Sequence, residues 1–416
     1  MLLATGTPVA VATGLLGVIG VWLFLPPAAL TQLATLAFAQ SANFVLVIVP
    51  LYVLMGELLG ASGIGRDLFD AARRWFRRIP GALAVGTVWA CAAFAAVCGS
   101  SPVTAATIGA MAVPEMIRHG YDRRLALGVT AAGGTLGILI PPSIPLILYG
   151  IITETSIGAL FMAGIVPGLL MAVMLSVTAV LVASRQGMVA KAALEAPKAS
   201  TSTKSIGAVI VLALGVLGSI YAGIATPTEA GAIGAAGALV IAAWRRSLGA
   251  RAFAGALAAT ARTTAMFILL IVAGMFASFV LARLGVPQGL AKEIVGLNLP
   301  PWVIMVVINL ALVVLGMFMD PMSILVIMVP ALFPSVVALG FDPVWFGIVL
   351  TINIEIAAIT PPVGFNLFVL KATIPGAQLG EITRGALIFV IPLALGIGLL
   401  IAVPQIALIL PSLMMR

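Results

Sequence analysis

The chain has 416 residues, 62% of them hydrophobic and 8% charged, with 44 glycines, 26 prolines and a net charge of +8. That balance excludes a water-soluble domain of this size; the recurrent apolar runs, near the length that crosses about 30 Å of hydrocarbon, point to spanning helices and not to a barrel of short alternating strands. Lys and Arg fall in the breaks between apolar runs, which is the pattern of cytoplasmic loops and not of a nucleic-acid surface.

The elements follow in chain order. The first apolar run, about 8 to 25, lacks a basic leader and a small-residue cleavage site and reads as a retained helix. A second helix is expected at about 44 to 61. Segment 62 to 79 mixes Arg with apolar residues and reads as an arm lying in the interface. The basic cluster Arg66 to Arg78 and the next, Arg118 to Arg124, must both be cytoplasmic. The 39 residues between Arg78 and Arg118 must therefore leave and return, turning at Gly99-Ser100-Ser101-Pro102 as two tight crossings or a re-entrant hairpin. The span from Arg123 to Ile152 is interrupted by Ile140-Pro141-Pro142-Ser143-Ile144-Pro145, and three prolines so close cannot sit in one helix, so two half-helices flank an unwound middle. A helix at about 157 to 183 returns to a Lys-rich loop ending at Lys204, and one at about 206 to 225 crosses outward. Segments 250 to 262 and 286 to 299 read as further arms. Cys91 and Cys98 lie in an apolar run with no His or carboxylate beside them and read as small buried residues.

The chain repeats itself. Gly120-Tyr121-Asp122 precedes Pro141-Pro142 by the same spacing at which Gly340-Phe341-Asp342 precedes Pro361-Pro362, and the two sets lie 220 positions apart. The same offset carries Pro114 onto Pro334, Ser101 onto Pro321 and the helix at 44 to 61 onto apolar 264 to 281. Bases flank the first Gly-x-Asp and are missing around the second, so the halves are expected to face opposite sides of the membrane, with the helix at 206 to 225 turning the second half over. Inverted repeats with discontinuous helices are a transporter architecture, with the site near the midplane.

At the first turn, Ser100, Ser101 and Thr104 offer hydroxyls beside a helix break, a setting suited to a small hard cation; the competing reading is back-bonding within their own helix. Its counterpart, Gly316 to Ser323, holds Asp320, an acid at membrane depth that is either a cation or proton site or the cap of the helix begun by Pro321. The second break runs Thr360-Pro361-Pro362-Val363-Gly364-Phe365-Asn366, with Glu355 upstream as ligand or structural group. Helix N-termini facing such a site favour an anion and C-termini a cation. Glu57 and Glu115 read as interfacial, solvated acids, and His119 as a surface residue. No His-Glu-x-x-His, Gly-x-Ser-x-Gly or Gly-Lys is present, which speaks against a metalloprotease, a serine hydrolase and a P-loop, and no enzyme activity is expected.

At these motifs, and over nearly its full length, the chain resembles the large (M) subunit of tripartite ATP-independent periplasmic (TRAP) transporters. The stretches are Gly99-Ser100-Ser101-Pro102-Val103-Thr104-Ala105-Ala106-Thr107, Gly133-Gly134-Thr135-Leu136-Gly137-Ile138-Leu139-Ile140-Pro141-Pro142-Ser143, Ala225-Thr226-Pro227-Thr228-Glu229-Ala230, Gly316-Met317-Phe318-Met319-Asp320-Pro321 and Thr360-Pro361-Pro362-Val363-Gly364. Pro102 departs from the pattern, where a small polar residue is more usual. The resemblance implies an all-α polytopic protein of the bacterial inner membrane, with a first repeat over 1–205 (hairpin about 80–118, broken helix about 123–152), a linking helix at 206–225 and an inverted repeat over 226–416 (hairpin about 300–340, broken helix about 343–370). It implies an elevator in which hairpins and broken helices move against a scaffold. It implies Na⁺-driven import of carboxylates, two or more ions being coupled, with a small membrane subunit of about four helices and a periplasmic binding protein as partners. The Na⁺ ligands it implies are Ser100, Ser101 and Thr104 with Gly137 and Pro141, and Gly316, Met319 and Asp320 with Thr360 and Gly364. Substrate would meet Ser100, Ser101, Pro142, Ser143, Asp320, Pro362 and Asn366. A stand-alone divalent-anion symporter of the same architecture is the alternative.

Overall fold

In the computed structural model, residues 7–185, 202–297 and 299–414 are described, without the side chains of 202–205. The Lys-rich stretch and the boundary at 205 fall largely outside them.

Joints between helices explain the repeated motifs. Helix α1 is Val9–Phe24, α2 Thr31–Ser41, α3 Ile48–Ala61, α4 Ile64–Trp75, α5 Ala82–Cys98 and α6 Ser101–Arg118. After α6 the chain turns through Gly120, at φ +81°, and Tyr121 N–H reaches back to Met116 O (3.0 Å), the 6→1 bond of a Schellman stop. Asp122 then caps α7, Arg123–Thr135, by accepting from Arg124 N–H (2.7 Å). The break leads to α8, Ile144–Thr153, then α9, Ile157–Arg185, and α10, Ser202–Tyr221.

The second half runs α11 Pro227–Trp244, α12 Ala250–Arg283, α13 Val286–Gly296, α14 Pro301–Gly316, α15 Pro321–Ala338, α16 Pro343–Ala358, α17 Phe365–Thr373, α18 Leu379–Ala402 and α19 Gln405–Met414. Its Gly-x-Asp joint has the same construction: Gly340 at φ +82°, Phe341 N–H on Val336 O (3.2 Å), and Asp342 accepting from Val344 and Trp345 N–H. The Thr-Pro-Thr-Glu stretch proves to be a capping box, with Thr226 and Glu229 each satisfying the other's backbone N–H at the start of α11.

Helix boundaries keep the 220-residue offset well beyond the motifs: α1 corresponds to α11, α5 and α6 to α14 and α15, α7 and α8 to α16 and α17, and α9 to α18. One expected division does not occur. Segments 250–262 and 264–281 form a single helix, α12, whereas their counterparts α2 and α3 are parted at Asn43, whose side chain accepts from Val45 N–H (2.9 Å) and stops the helix. Thr263 and Thr264 at the equivalent junction offer no such stop.

Among the described residues, six helical stretches are long and apolar enough to cross a membrane, including Phe44–Ala61, Ile157–Arg185 and Leu379–Ala402. In α9, Ala172, Leu175 and Ala179 are buried while Val173, Val177 and Leu181 are exposed, so the helix is apolar on both faces, as lipid contact requires. The chain is a multi-pass membrane protein. Small residues set its close packings. A Cβ at Gly17 of α1 would lie 2.6 Å from Phe276 of α12, and one at Gly234 of α11 would lie 2.6 Å from Met55 of α3. Each half's opening helix thus packs on the other half's long helix.

Candidate functional site

Both hairpin tips are tied by backbone to the break that follows them. Gly99 turns the first tip at φ +66°, so close to the first break that a Cβ on it would lie 2.5 Å from Pro142 O, and Ile144 N–H donates to Gly99 O (3.3 Å). At the second tip Val363 N–H donates to Met317 O (3.1 Å). Gly137 is equally constrained: a Cβ there would lie 2.6 Å from Ser100 O and 2.7 Å from Thr104 Oγ1. The structure therefore brings Thr104, Gly137, Pro142 and Ser143 to the first tip. Pro141 lies in the same break.

The two halves meet through polar groups. Asn366 Nδ2 donates to Ser101 Oγ (2.6 Å) and lies 3.4 Å from Ala131 O, and both Asn366 and Ser101 are fully buried. Ser101 is the first residue of α6 and Asn366 the second of α17. Two helix N-termini, one from each half, therefore converge, which places partial positive charge where an anion would be held without Lys or Arg.

Other hydroxyls and acids have local partners. Thr104 donates to Ser100 O (2.8 Å), Thr360 to Ile356 O (2.6 Å), and Ser143 to Ile138 O while capping α8 through Leu146 N–H. Asp320 caps α15, accepting from Met322 and Ser323 N–H and from the Ser323 hydroxyl. These bonds leave each oxygen further acceptor capacity. Gly364, at φ +57°, ends the second break two residues after Pro362 and lies against Thr360 O, and Gly316 packs against Ala357 beside Met319.

Among the described residues, the acids outside the tips form no cluster of three or more that could hold a metal ion. Glu355 is fully buried, and neither carboxyl oxygen has a hydrogen-bond partner among the described residues. Glu115 is not a free interfacial acid: it pairs with Arg73 of α4 (2.7 Å) and with Arg118 (3.1 Å), fastening the arm to the hairpin base. Its neighbour Asp67 pairs with Arg245 (2.5 Å), fastening the same arm to the end of α11. On that arm, burial pushes the Asp70 carboxyl up against the lowering pull of Arg73, Arg66 and Arg74. Glu57, expected near the interface, instead faces the first tip. Two features escaped sequence reasoning: α2, and the inward face of Glu57, for which Gly56 beside it was the available signal.

A membrane-embedded bundle with two helical hairpins and two broken helices defines a transporter-type fold. The YdaH transporter of Alcanivorax borkumensis superposes with a TM-score of 0.67 at 15% identity, covering 92% of this chain and 89% of that one, which establishes likeness of fold. Residues 1–406 match the family described as tripartite ATP-independent periplasmic transporter, DctM component, and the chain belongs to that family. It is 37% identical to the C4-dicarboxylate TRAP transporter large permease protein DctM of Pseudomonas aeruginosa, over 96% of this chain and 93% of that one. It is 34% identical to the isethionate TRAP transporter permease protein DctMQ of Oleidesulfovibrio alaskensis, over 100% of this chain and 64% of that one. It is a component of an ATP-independent transporter, and the family is one of permeases and not of enzymes.

Proposed function

We propose that the chain is the large permease subunit of a Na⁺-coupled importer of carboxylates or related organic anions in the bacterial inner membrane. It works with a small membrane subunit and a periplasmic substrate-binding protein. The observation that carries this reading is the Ser101–Asn366 bond between the halves, at the convergence of two helix N-termini and beside hydroxyl- and carbonyl-rich breaks. N-terminal helix ends suit an anionic group, and oxygens freed at breaks suit Na⁺, so substrate and ions neutralise one another in a site that supplies no fixed cation.

The repeat, taken with the charge asymmetry around Gly120 and Gly340, supports inverted halves. The tips and breaks form a block that moves against α1, α3, α11 and α12. The arm α4, pinned to α11 by Asp67–Arg245 and to the hairpin by Arg73–Glu115, is placed to link the two. The part of the isethionate relative that this chain does not cover leaves room for a fused small subunit.

The test is uptake of labelled dicarboxylates, sugar acids and sulfonates into proteoliposomes holding this chain and its small subunit. Uptake is expected only when the cognate binding protein is added. Equal uptake without it would replace this reading with a stand-alone anion symporter.

A further inference from the structure

Serine and threonine hydroxyls inside this membrane protein are, as a rule, engaged with the carbonyl a turn earlier: Thr104, Thr130, Thr351 and Thr360 all donate to position i−4 at 2.6–2.8 Å. Ser100 and Thr263 break that rule, as do Thr264 and Ser335. Neither the Ser100 nor the Thr263 hydroxyl has a hydrogen-bond partner among the described residues, and these two line the same cavity. Glu57 is the third polar side chain of that cavity, and its carboxylate has neither a hydrogen bond nor an ion pair among the described residues. No Lys or Arg lines the space.

The cavity has walls from three parts of the fold. Glu57 comes from α3, Thr263 from α12, and Ser100, Cys98 and Ile144 from the first tip and its break. Gly56 makes the approach possible, since a Cβ there would lie 2.9 Å from Cys98 O. Ser101, the next residue along the tip, points the other way and bonds Asn366. The first tip thus presents one hydroxyl to each side: Ser101 to the convergence of the halves, and Ser100 to α3 and α12.

We propose that Glu57, Thr263 and the Ser100 hydroxyl form a monovalent-cation site between the first hairpin tip and the scaffold helices, distinct from the ion position at the first break, toward which Ser100 turns its carbonyl beside Gly137. A carboxylate and two hydroxyls are hard oxygen donors, the type a small alkali cation takes. An intramembrane carboxylate without a partner attracts a cation strongly, because little solvent screens it. The repeat shows why the charge must come from outside the tip here. At the offset of 220 residues, Ser100 corresponds to Asp320 and Glu57 to Ala277. The second tip carries its own acid, whereas the first borrows one from α3. The site is complete only while the tip meets α3, so a cation held there favours that conformation.

This inference rests on the cation-coupled reading, and direct binding separates the two. The full chain is reconstituted in lipid nanodiscs and titrated with ²²Na⁺, alongside Glu57→Gln, Thr263→Val and Glu57→Asp, each confirmed monodisperse. Glu57→Gln and Thr263→Val are each expected to weaken one class of Na⁺ sites by about tenfold or more, leaving the others unchanged. Glu57→Asp should retain that class in part. Wild-type isotherms from folded Glu57→Gln and Thr263→Val would overturn this site and leave Na⁺ coupling standing. No Na⁺ binding by the wild type would overturn both.

Discussion

At the scale of single residues, the contact between Ser101 and Asn366 carries the most weight. Both are buried, and the amide has one close partner. Removing the serine hydroxyl leaves a buried N–H short of a partner, at a cost of about 1–3 kcal/mol. Ser101→Ala is therefore expected to raise the half-saturating Na⁺ concentration for uptake. In a double-mutant cycle with Asn366→Ala, the two effects should fall short of additive by about 0.5–3 kcal/mol. Strict additivity in uptake kinetics would show that the residues act apart. The sequence placed Ser101 at a tip and Asn366 at a break, because Gly and Pro beside hydroxyls mark such places. It did not reveal that the two touch, since they lie 265 positions apart and come from different halves. The same limit applied to Glu57: a helix read alone shows an acid near its end, and only the packing of Gly56 on Cys98 shows which way that acid faces.

At the scale of elements, glycine spacing decides how near helices come. Gly128 of α7 and Gly385 of α18 meet backbone to backbone, so that a Cβ at Gly128 would lie 2.2 Å from Gly385 C and one at Gly385 would lie 2.0 Å from Arg124 O. Neither neighbour is a flexible side-chain end, so the helices must part to admit a methyl group, at about 1–3 kcal/mol. Gly128→Ala should lower the thermal midpoint of the purified chain, whereas Gly218→Ala on α10, where a Cβ would meet nothing, should leave it within error. Equal midpoints for the two variants would contradict the close α7–α18 contact. Most elements were legible in the sequence, because Pro, Gly and Asp mark their ends: the Gly-x-Asp joints and the Pro-Pro breaks fell where expected. The exceptions were α2, which the sequence did not reveal, and α12, read as an arm plus a helix. Polarity divides that stretch, but nothing in Thr263-Thr264 breaks the backbone, and hydrogen-bond continuity won over composition.

At the scale of the molecule, each half completes the other. Opening helices α1 and α11 pack on α12 and α3 of the opposite halves, and α6 meets α17 across the centre through Gly109 against Leu370. Neither half would bury its own small-residue faces alone. The candidate site lies where this exchange brings two tips and two breaks together, and among the described residues it offers oxygens and helix ends and no Lys or Arg. In the proposed function an organic anion would enter such a site together with cations, and coupling would follow from the charge inventory. The most direct measurement is the initial rate of substrate uptake into proteoliposomes, with partner subunits present, no ATP, and Na⁺ replaced by K⁺ at constant ionic strength and pH gradient. An inward Na⁺ gradient should drive accumulation that K⁺ does not support; equal rates in the two cations would contradict Na⁺ coupling and turn attention to proton coupling through Asp320.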